Sequence, residues 1–536
     1  MYDNFDDDNW SRSGRRSGGS QGGLDTNQIL LILCIVLFVF MSVGGVSYYL
    51  YYLQTEGTQT VQNQPAADAQ AVAVTPTPKP SATPTPTPVD PEYAEITADM
   101  TDEEKADYDA MLEFTARYKA ANLTYPITQT VYREPKVYAD TLVFILSFNN
   151  QPLITDSALW SDYFFGNGYY GTGSVSGYYK EVSHGTIAVR PAKESQGTAN
   201  DGVIRLDMDR SHPGFSGAFY SSPDVNATLN TIHSFIKSVM TKSNQYIDYS
   251  DYDKNGDGIV GSEELDIIMI FAGYEDAYLP GLIPNATYSA QVWLSNLTIN
   301  LDGVAMNEAI LTAELSPAID SNVPIAPMGA ICHEMGHAIG LPDEYDTDYS
   351  SEGLAFHSLM AGGSYNFYGG EIGSLPPPLM AWDLLRLGAM EPEVVETSGT
   401  YEVWCRSNEN YNILKIPAQD GYYLIENVDF GGYGQGLSLY VLEPGIAIWY
   451  IDEDVINSRY AEYTYSVNDD EYRPGVRLVE PYGATDLLHG NFDYMKVYDH
   501  YFRLSGDSKY TGSCGVIVEI LDDPGDVMRV NITLVQ

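Results

Sequence analysis

The chain has 536 residues, long enough for two or three domains with their own cores, and an ordinary globular share of apolar residues at 44%. Its 27 basic and 73 acidic residues give a net charge of −46, which excludes a basic phosphate-binding face and with it a nucleic-acid partner. Such a charge suits cation binding and solubility outside a cell, although most of these carboxylates read as solvated surface.

Residues 1–27 are polar and Gly/Ser-rich, with Arg12, Arg15 and Arg16, and read as a disordered tail. No charge occurs between Thr26 and Thr55; Ile29 to Val46 is almost wholly apolar, and Tyr48, Tyr49, Tyr51 and Tyr52 follow. Residues 28–53 are therefore expected to be a transmembrane signal-anchor with an aromatic belt. The arginines before it place the tail in the cytoplasm and the rest outside, in a single-pass cell-membrane protein. A cleaved signal peptide, cut near Gly45 and Ser47, is the alternative. Residues 54–92 hold the Thr-Pro run Thr75–Pro91, an extended stalk. Residues 93–137 read as a helical spacer or pro-segment with Asp102, Glu103 and Glu104 in its first turn.

The expected fold class is α+β, with a body over 138–395 and a β-sheet domain over 396–536. Thr141–Phe148 and Leu265–Ala272 read as buried strands. Asp224–Lys242 reads as a helix burying Leu229, Ile232, Ile236 and Val239. Another helix around Met328–Ile339 carries an apolar stripe of Met328, Ile331, Cys332, Met335 and Ile339. A third, Leu379–Leu387, stops at Gly388. Beyond residue 396, short strands alternate with turns: Tyr422–Glu426, Ile446–Ile451, Val476–Val479, Val516–Ile520 and Val527–Leu534. Cys34 lies in the apolar run and Cys332 reads as a core residue; Cys405 and Cys514 are candidates to pair.

On the middle helix, His333 and His337 stand one turn apart and project from one face. Two imidazoles at that spacing can hold one zinc ion, and Glu334 beside them is placed to take a proton from metal-activated water. Gly340 can adopt positive φ and turn the chain, so that Asp343 returns as third ligand and a fourth position is left for water. The bland alternative is two surface histidines on a structural helix. The apolar stripe lies on a different face, so the fold does not itself need them.

Asp253 to Glu264 fits the twelve-residue calcium loop. Asp253, Asn255 and Asp257 would supply oxygens, Gly258 the sharp turn, Ile259 its carbonyl and Glu264 a bidentate carboxylate. No flanking helix pair is evident, so structural Ca²⁺ is expected; a Gly/Asp-rich turn is the alternative. Downstream, Ser358-Leu359-Met360-Ala361-Gly362-Gly363 is a small-residue turn around one methionine.

Together TLVFILSF, SVSGYYKEVSHGTIAV, LDIIMIFAG, HEMGHAIGLPDEYD, SLMAGGSYN, MAWDLLRLGAM, YYLIENVDFGG and GIAIWYIDED resemble the immune inhibitor A family of bacterial zinc metallopeptidases, near the metzincins, over roughly residues 140–536. The resemblance implies a metzincin-like catalytic domain of twisted sheet plus active-site helix. By position, His333, His337 and Asp343 would bind zinc, Glu334 would be the catalytic base and Met360 the methionine beneath the metal. Some metzincins carry a tyrosine two residues after that methionine; here the position is Gly362, with Tyr365 nearby.

The expected function is thus an extracellular, membrane-anchored zinc endopeptidase acting on proteins or peptides, from a bacterial source. A catalytically silent, calcium-stabilised adhesin is one rival, disfavoured by Glu334. A thermolysin-like enzyme with Glu352 or Glu371 as third ligand is another. His184, His212, His233, His357, His489 and His500 show no paired spacing and read as packing or surface.

Overall fold

The computed structural model describes residues 138–535, apart from residue 170 and the stretches 218–224, 278–284, 295–298, 317–324, 348–349, 369–370, 419–420, 462–465, 489–495 and 513–514. The expected tail, membrane anchor, stalk and spacer lie outside the described residues, as do His489 and Cys514. Among the described residues no helix is long and apolar enough to cross a membrane.

The first sheet grows on TLVFILSF. Its strand β1 (Tyr138–Ser147) is a nearly unbroken apolar run, as a strand covered on both faces must be, and Leu142 to Leu146 are wholly buried. Along one edge β1 pairs in parallel first with β2 (Ala188–Pro191) and then with β3 (Val203–Asp207). Beyond the short β4 (Ile259–Val260), β5 (Asp266–Tyr274) pairs in parallel with the other edge of β1. The sheet is completed by β6 (Ala290–Trp293) and β9 (Glu308–Leu315) in the order β2-β1-β5-β9-β6; β6 is antiparallel to its neighbour and lies at the edge. A small sheet joins β4 to β8 (Val304–Met306) and β7 (Asn300–Leu301).

Helices cover this sheet. Asp156 caps α1 (Ser157–Phe165) by accepting from Leu159 N, and Ser174 caps α2 (Val175–Val182) by accepting from Gly177 N. The expected amphipathic helix is α3 (Val225–Ser243), with Ile232, Ile236 and Val239 fully buried. The histidine-bearing helix is α4 (Met328–Ala338). The next, α5 (Ala381–Arg386), begins two residues later than expected because Pro376 to Pro378 precede it.

The C-terminal part is built of strands around one further helix, α6 (Glu453–Ala461). One sheet runs β10 (Glu393–Val394), β12 (Leu414–Pro417), β13 (Tyr422–Val428), β14 (Gly445–Ile451), β15 (Val476–Leu478). Another runs β11 (Gly399–Trp404), β18 (Val527–Leu534), β17 (Val516–Ile520), β16 (Lys509–Thr511). The period-two geometry of β13 and β14 divides their side chains between two cores. Leu424, Val428, Ala447 and Trp449 join the large core shared with the first sheet; Tyr423, Ile425, Ile446 and Ile448 face the second, smaller core between the two C-terminal sheets. Architecturally the chain is a mixture of α and β. Cys405 is a free thiol with its Sγ 3.6 Å from Ser407 Oγ, while Cys514, the other candidate for a pairing, lies outside the described residues.

Candidate metal centre

Helix α4 ends in a hydrogen-bond pattern that fixes the path of the chain beyond it. Gly340 adopts φ +109°, Gly340 N donates to His337 O at 3.0 Å, and Leu341 N reaches back to Gly336 O at 2.9 Å. These are the two bonds of a left-handed C-terminal cap, which requires a residue without a Cβ penalty at position 340. The cap reverses the chain and brings Asp343 to the histidines. Oδ1 of Asp343 lies 3.2 Å from Nε2 of both His333 and His337. With zinc bonds of about 2.0–2.1 Å, ligand atoms at tetrahedral corners stand about 3.3 Å apart.

The protons support the same arrangement. Nδ1 of His333 donates to Leu359 O at 3.0 Å, and Nδ1 of His337 to Leu341 O at 2.9 Å. A carbonyl can only accept, so each ring carries its proton on Nδ1 and, when neutral, turns the lone pair of Nε2 inward. Oδ1 of Asp343, buried at 5% exposure, has no hydrogen-bond partner among the described residues. With neutral rings, both Nε2 lone pairs and the Asp343 carboxylate oxygen face one point, a donor set that a cation fits. Burial works against a charge on His337, but the Asp343 charge outweighs it and carries the imidazole to about 9. Burial likewise opposes ionisation of Asp343, and the His337 charge holds its carboxyl well below the usual range. The residues present fit zinc.

Glu334 is 8% exposed and accepts a hydrogen bond from Gln291 N of β6 at 2.8 Å. Met360 is fully buried under the helix, where Gly336 leaves room for it: a Cβ at position 336 would meet Met360 Sδ at 2.4 Å. The methionine turn also touches both arms of the site. Leu359 O holds His333, and Met360 O accepts from Glu344 N, next to Asp343. Glu344 is wholly buried, accepts from Ser358 Oγ, and has its carboxyl pushed up by burial and by Asp383. Glu352 and Glu371 are not part of the metal-capable group around His333 and His337.

In the Asp253–Glu264 loop, Gly256 and Gly258 take positive φ. Glu264 Oε1 accepts from Lys254 N and Asn255 N, while its buried Oε2 has no hydrogen-bond partner among the described residues. Asp253 accepts from Gly256 N and Gly258 N, Asn255 Oδ1 from Asp257 N, and Asp257 Oδ1 from Ile259 N. The unsatisfied Glu264 oxygen fits a cation; the other side-chain oxygens are engaged within the loop.

Sequence reasoning missed the polar links behind the site. Gln291 Nε2 donates to Glu308 Oε2, Ser262 N donates to Glu308 Oε1, and Ser262 Oγ donates to Ala338 O. It also missed Glu480, Asp486 and His500, whose ligand-capable atoms lie within 4.8 Å of one another. Sequence separation hid both groups. His212 is buried with its pKa lowered to about 4, and His233 Nε2 donates to Trp293 O, in keeping with packing roles.

Residues 156–390 match the family described as immune inhibitor A peptidase M6, catalytic domain. That stretch is similar to the peptidase M6 catalytic domain. That family is one of metallopeptidases. The chain is also similar to immune inhibitor A of Bacillus thuringiensis subsp. alesti, 24% identical over 48% of this chain and 36% of that protein. The pre-pro-metalloprotease PrtV of Vibrio cholerae is 28% identical over 40% of this chain and 21% of its own length. The matched part thus spans about a third or less of these relatives. A solved structure of catalytically inactive OgpA from Akkermansia muciniphila, bound to an O-glycopeptide, covers 56% of this chain and 75% of its own. Its identity is 11% and its TM-score 0.27, too slight a likeness to bear on the fold of this chain.

Proposed function

We propose that the protein is a zinc endopeptidase with a metzincin-like catalytic domain over 138–395, carried outside the cell on the membrane anchor expected at 28–53. The observation that carries the zinc reading is that the buried Asp343 Oδ1 lies 3.2 Å from Nε2 of both His333 and His337, the spacing of neighbouring tetrahedral ligands. The β-rich part from 396 onward is read as its own domain, and the Asp253–Glu264 loop as a structural Ca²⁺ site. Bound zinc would supply Lewis acidity toward a peptide carbonyl and lower the pKa of water.

The chain's own residues do the rest. His333, His337 and Asp343 would hold the ion, with Leu359 O and Leu341 O keeping both rings in register. Glu334 takes the proton of the attacking water and passes it to the leaving amine. Gln291 N, by engaging Oε2, fixes the carboxylate so that Oε1 serves as the proton acceptor. An acid retained at that position speaks against the adhesin alternative, since binding alone needs no base.

The test is cleavage of casein by the purified protein before and after chelator treatment. Loss of cleavage, restored by stoichiometric zinc, is expected. Cleavage indifferent to chelation would refute the proposal.

A further inference from the structure

We propose that Glu480, Asp486 and His500 form a second divalent-cation site of zinc-like preference, structural in role, which ties the C-terminal strands to the segment leading into the methionine turn. The site does not depend on the peptidase reading.

Three observations carry it. First, the three side chains place ligand-capable atoms within 4.8 Å of one another. Second, Glu480 Oε1 and His500 Nε2 stand 3.3 Å apart, yet Glu480 Oε1 has no hydrogen-bond partner among the described residues. Glu480 is 6% exposed and His500 1%, so this carboxylate oxygen is buried beside the ring. The same signature, an imidazole Nε2 and an unsatisfied carboxylate oxygen just over 3 Å apart, marks the His333–His337–Asp343 group. Third, the far side of the ring is anchored. Nδ1 of His500 lies 2.9 Å from Nε2 of His357, and Nδ1 of His357 lies 2.8 Å from Tyr501 Oη. Of the two directions open to this chain with neutral rings, the one a cation at His500 Nε2 would select has His500 Nδ1–H donating to His357 Nε2 and His357 Nδ1–H donating to Tyr501 Oη. That direction leaves a lone pair on His500 Nε2, facing the carboxylates. Metal-bound histidines commonly anchor their second nitrogen in this way.

Charge and donor type select the ion. Two carboxylates and an imidazole together supply a donor set for a divalent cation, and buried carboxylates such as Glu480 are paired or bind metal. One nitrogen with two carboxylates suits zinc; calcium and magnesium prefer oxygen ligands alone. The other oxygen of Glu480 accepts from Leu487 N at 3.3 Å, which orients the carboxylate. Asp486 is only half-buried and leaves a route for entry and a corner for water. The position explains the role. His357 immediately precedes Ser358-Leu359-Met360, and Leu359 O holds His333. An ion at His500 would therefore stiffen the support of the turn without touching substrate.

The experiment is a zinc count by plasma mass spectrometry on the full chain, equilibrated with zinc and freed of excess. The variants are Glu480→Gln, Asp486→Asn and the double variant His333→Ala/His337→Ala, alone and combined. The parent is expected to hold two equivalents and the histidine double variant one. Adding Glu480→Gln or Asp486→Asn to that double variant should remove the last, with its circular dichroism unchanged, and abolish the rise in melting temperature that added zinc gives. Asp486, being half-buried, guards against a misfolded Glu480→Gln. A double variant that holds no zinc under conditions saturating the parent would overturn the site. So would an equivalent that survives both substitutions. A parent whose single equivalent disappears with His333 and His337 refutes the second site and leaves the peptidase reading standing.

Discussion

The backbone N–H of Gln291, on the edge strand β6, donates to Oε2 of Glu334 on helix α4 at 2.8 Å. The sheet edge therefore sets where the acid beside the histidines sits. Behind it, the Gln291 side chain bonds Glu308 at 2.8 Å, Glu308 accepts from Ser262 N at 2.6 Å, and Ser262 Oγ bonds the last carbonyl of α4 at 2.9 Å. The strand, the end of the Asp253–Glu264 loop and the helix are locked by one set of polar contacts.

Gln291→Ala keeps the backbone donor to Glu334 but strips Glu308, 4% exposed, of its donor to Oε2. Losing a hydrogen bond to a charged group costs about 1.5–3 kcal/mol. Urea unfolding should show that loss, while Gln291→Glu, which adds a second carboxylate there, should lose more.

Gly329 and Gly336 both lack room for a side chain, for different reasons. A Cβ at Gly329 would fall 1.8 Å from Ser364 O, a backbone atom; at Gly336 it would meet the flexible Met360 side chain. Overpacking costs about 1–3 kcal/mol and more where backbone must move. Gly329→Ala is expected to lower the melting temperature more than Gly336→Ala. Gly336→Ala should weaken zinc retention by displacing Met360.

Asp343→Ala removes the third converging oxygen. In a Glu480→Gln background, where only the His333–His337 group is left to bind the ion, zinc content should fall by about tenfold or more at fixed free zinc, with the far-ultraviolet spectrum preserved. A variant that kept its zinc would move the third ligand elsewhere, to Glu352 or Glu371.

Glu426 on β13 braces the C-terminal part from within and accepts from Ala381 N of α5 at 3.3 Å. It is wholly buried and accepts from Arg406 Nε at 2.8 Å, Tyr411 Oη at 2.6 Å and Trp449 Nε1 at 2.6 Å. Glu426→Ala would leave Arg406 buried without its partner, a loss of about 3–5 kcal/mol. Burial pushes the Glu426 carboxyl up, but the Arg406 charge and these donors outweigh it and hold the pKa below 4.5. A carboxylate depressed on folding stabilises the fold above its unfolded pKa and loses that contribution as pH falls through the folded value. Acid unfolding monitored below about pH 4.5 should therefore lack this component in Glu426→Gln.

Much of this architecture is legible in the residues. The apolar runs of β1 and β5 mark strands covered on both faces, and HEMGHAIG fixes both a helix and its glycine stop. Val516–Ile520 and Val527–Leu534 fall where the turn residues bound them. Strand β9 is masked because its buried acids Glu308 and Glu314 interrupt an apolar pattern, and β6 is only four residues long. The parallel pairing of the first sheet joins segments far apart in sequence, and no local period encodes it. The same holds for His357 and His500, which meet across 143 positions.

The role of Glu334 as proton acceptor beside a bound zinc is decided by Glu334→Ala and the parent, each assayed for casein cleavage and for zinc. The mechanism predicts a variant that keeps its metal at His333, His337 and Asp343 but loses cleavage by roughly 10²–10⁴-fold, the usual contribution of a general acid–base group. A zinc-loaded variant that cleaves as fast as the parent would contradict it.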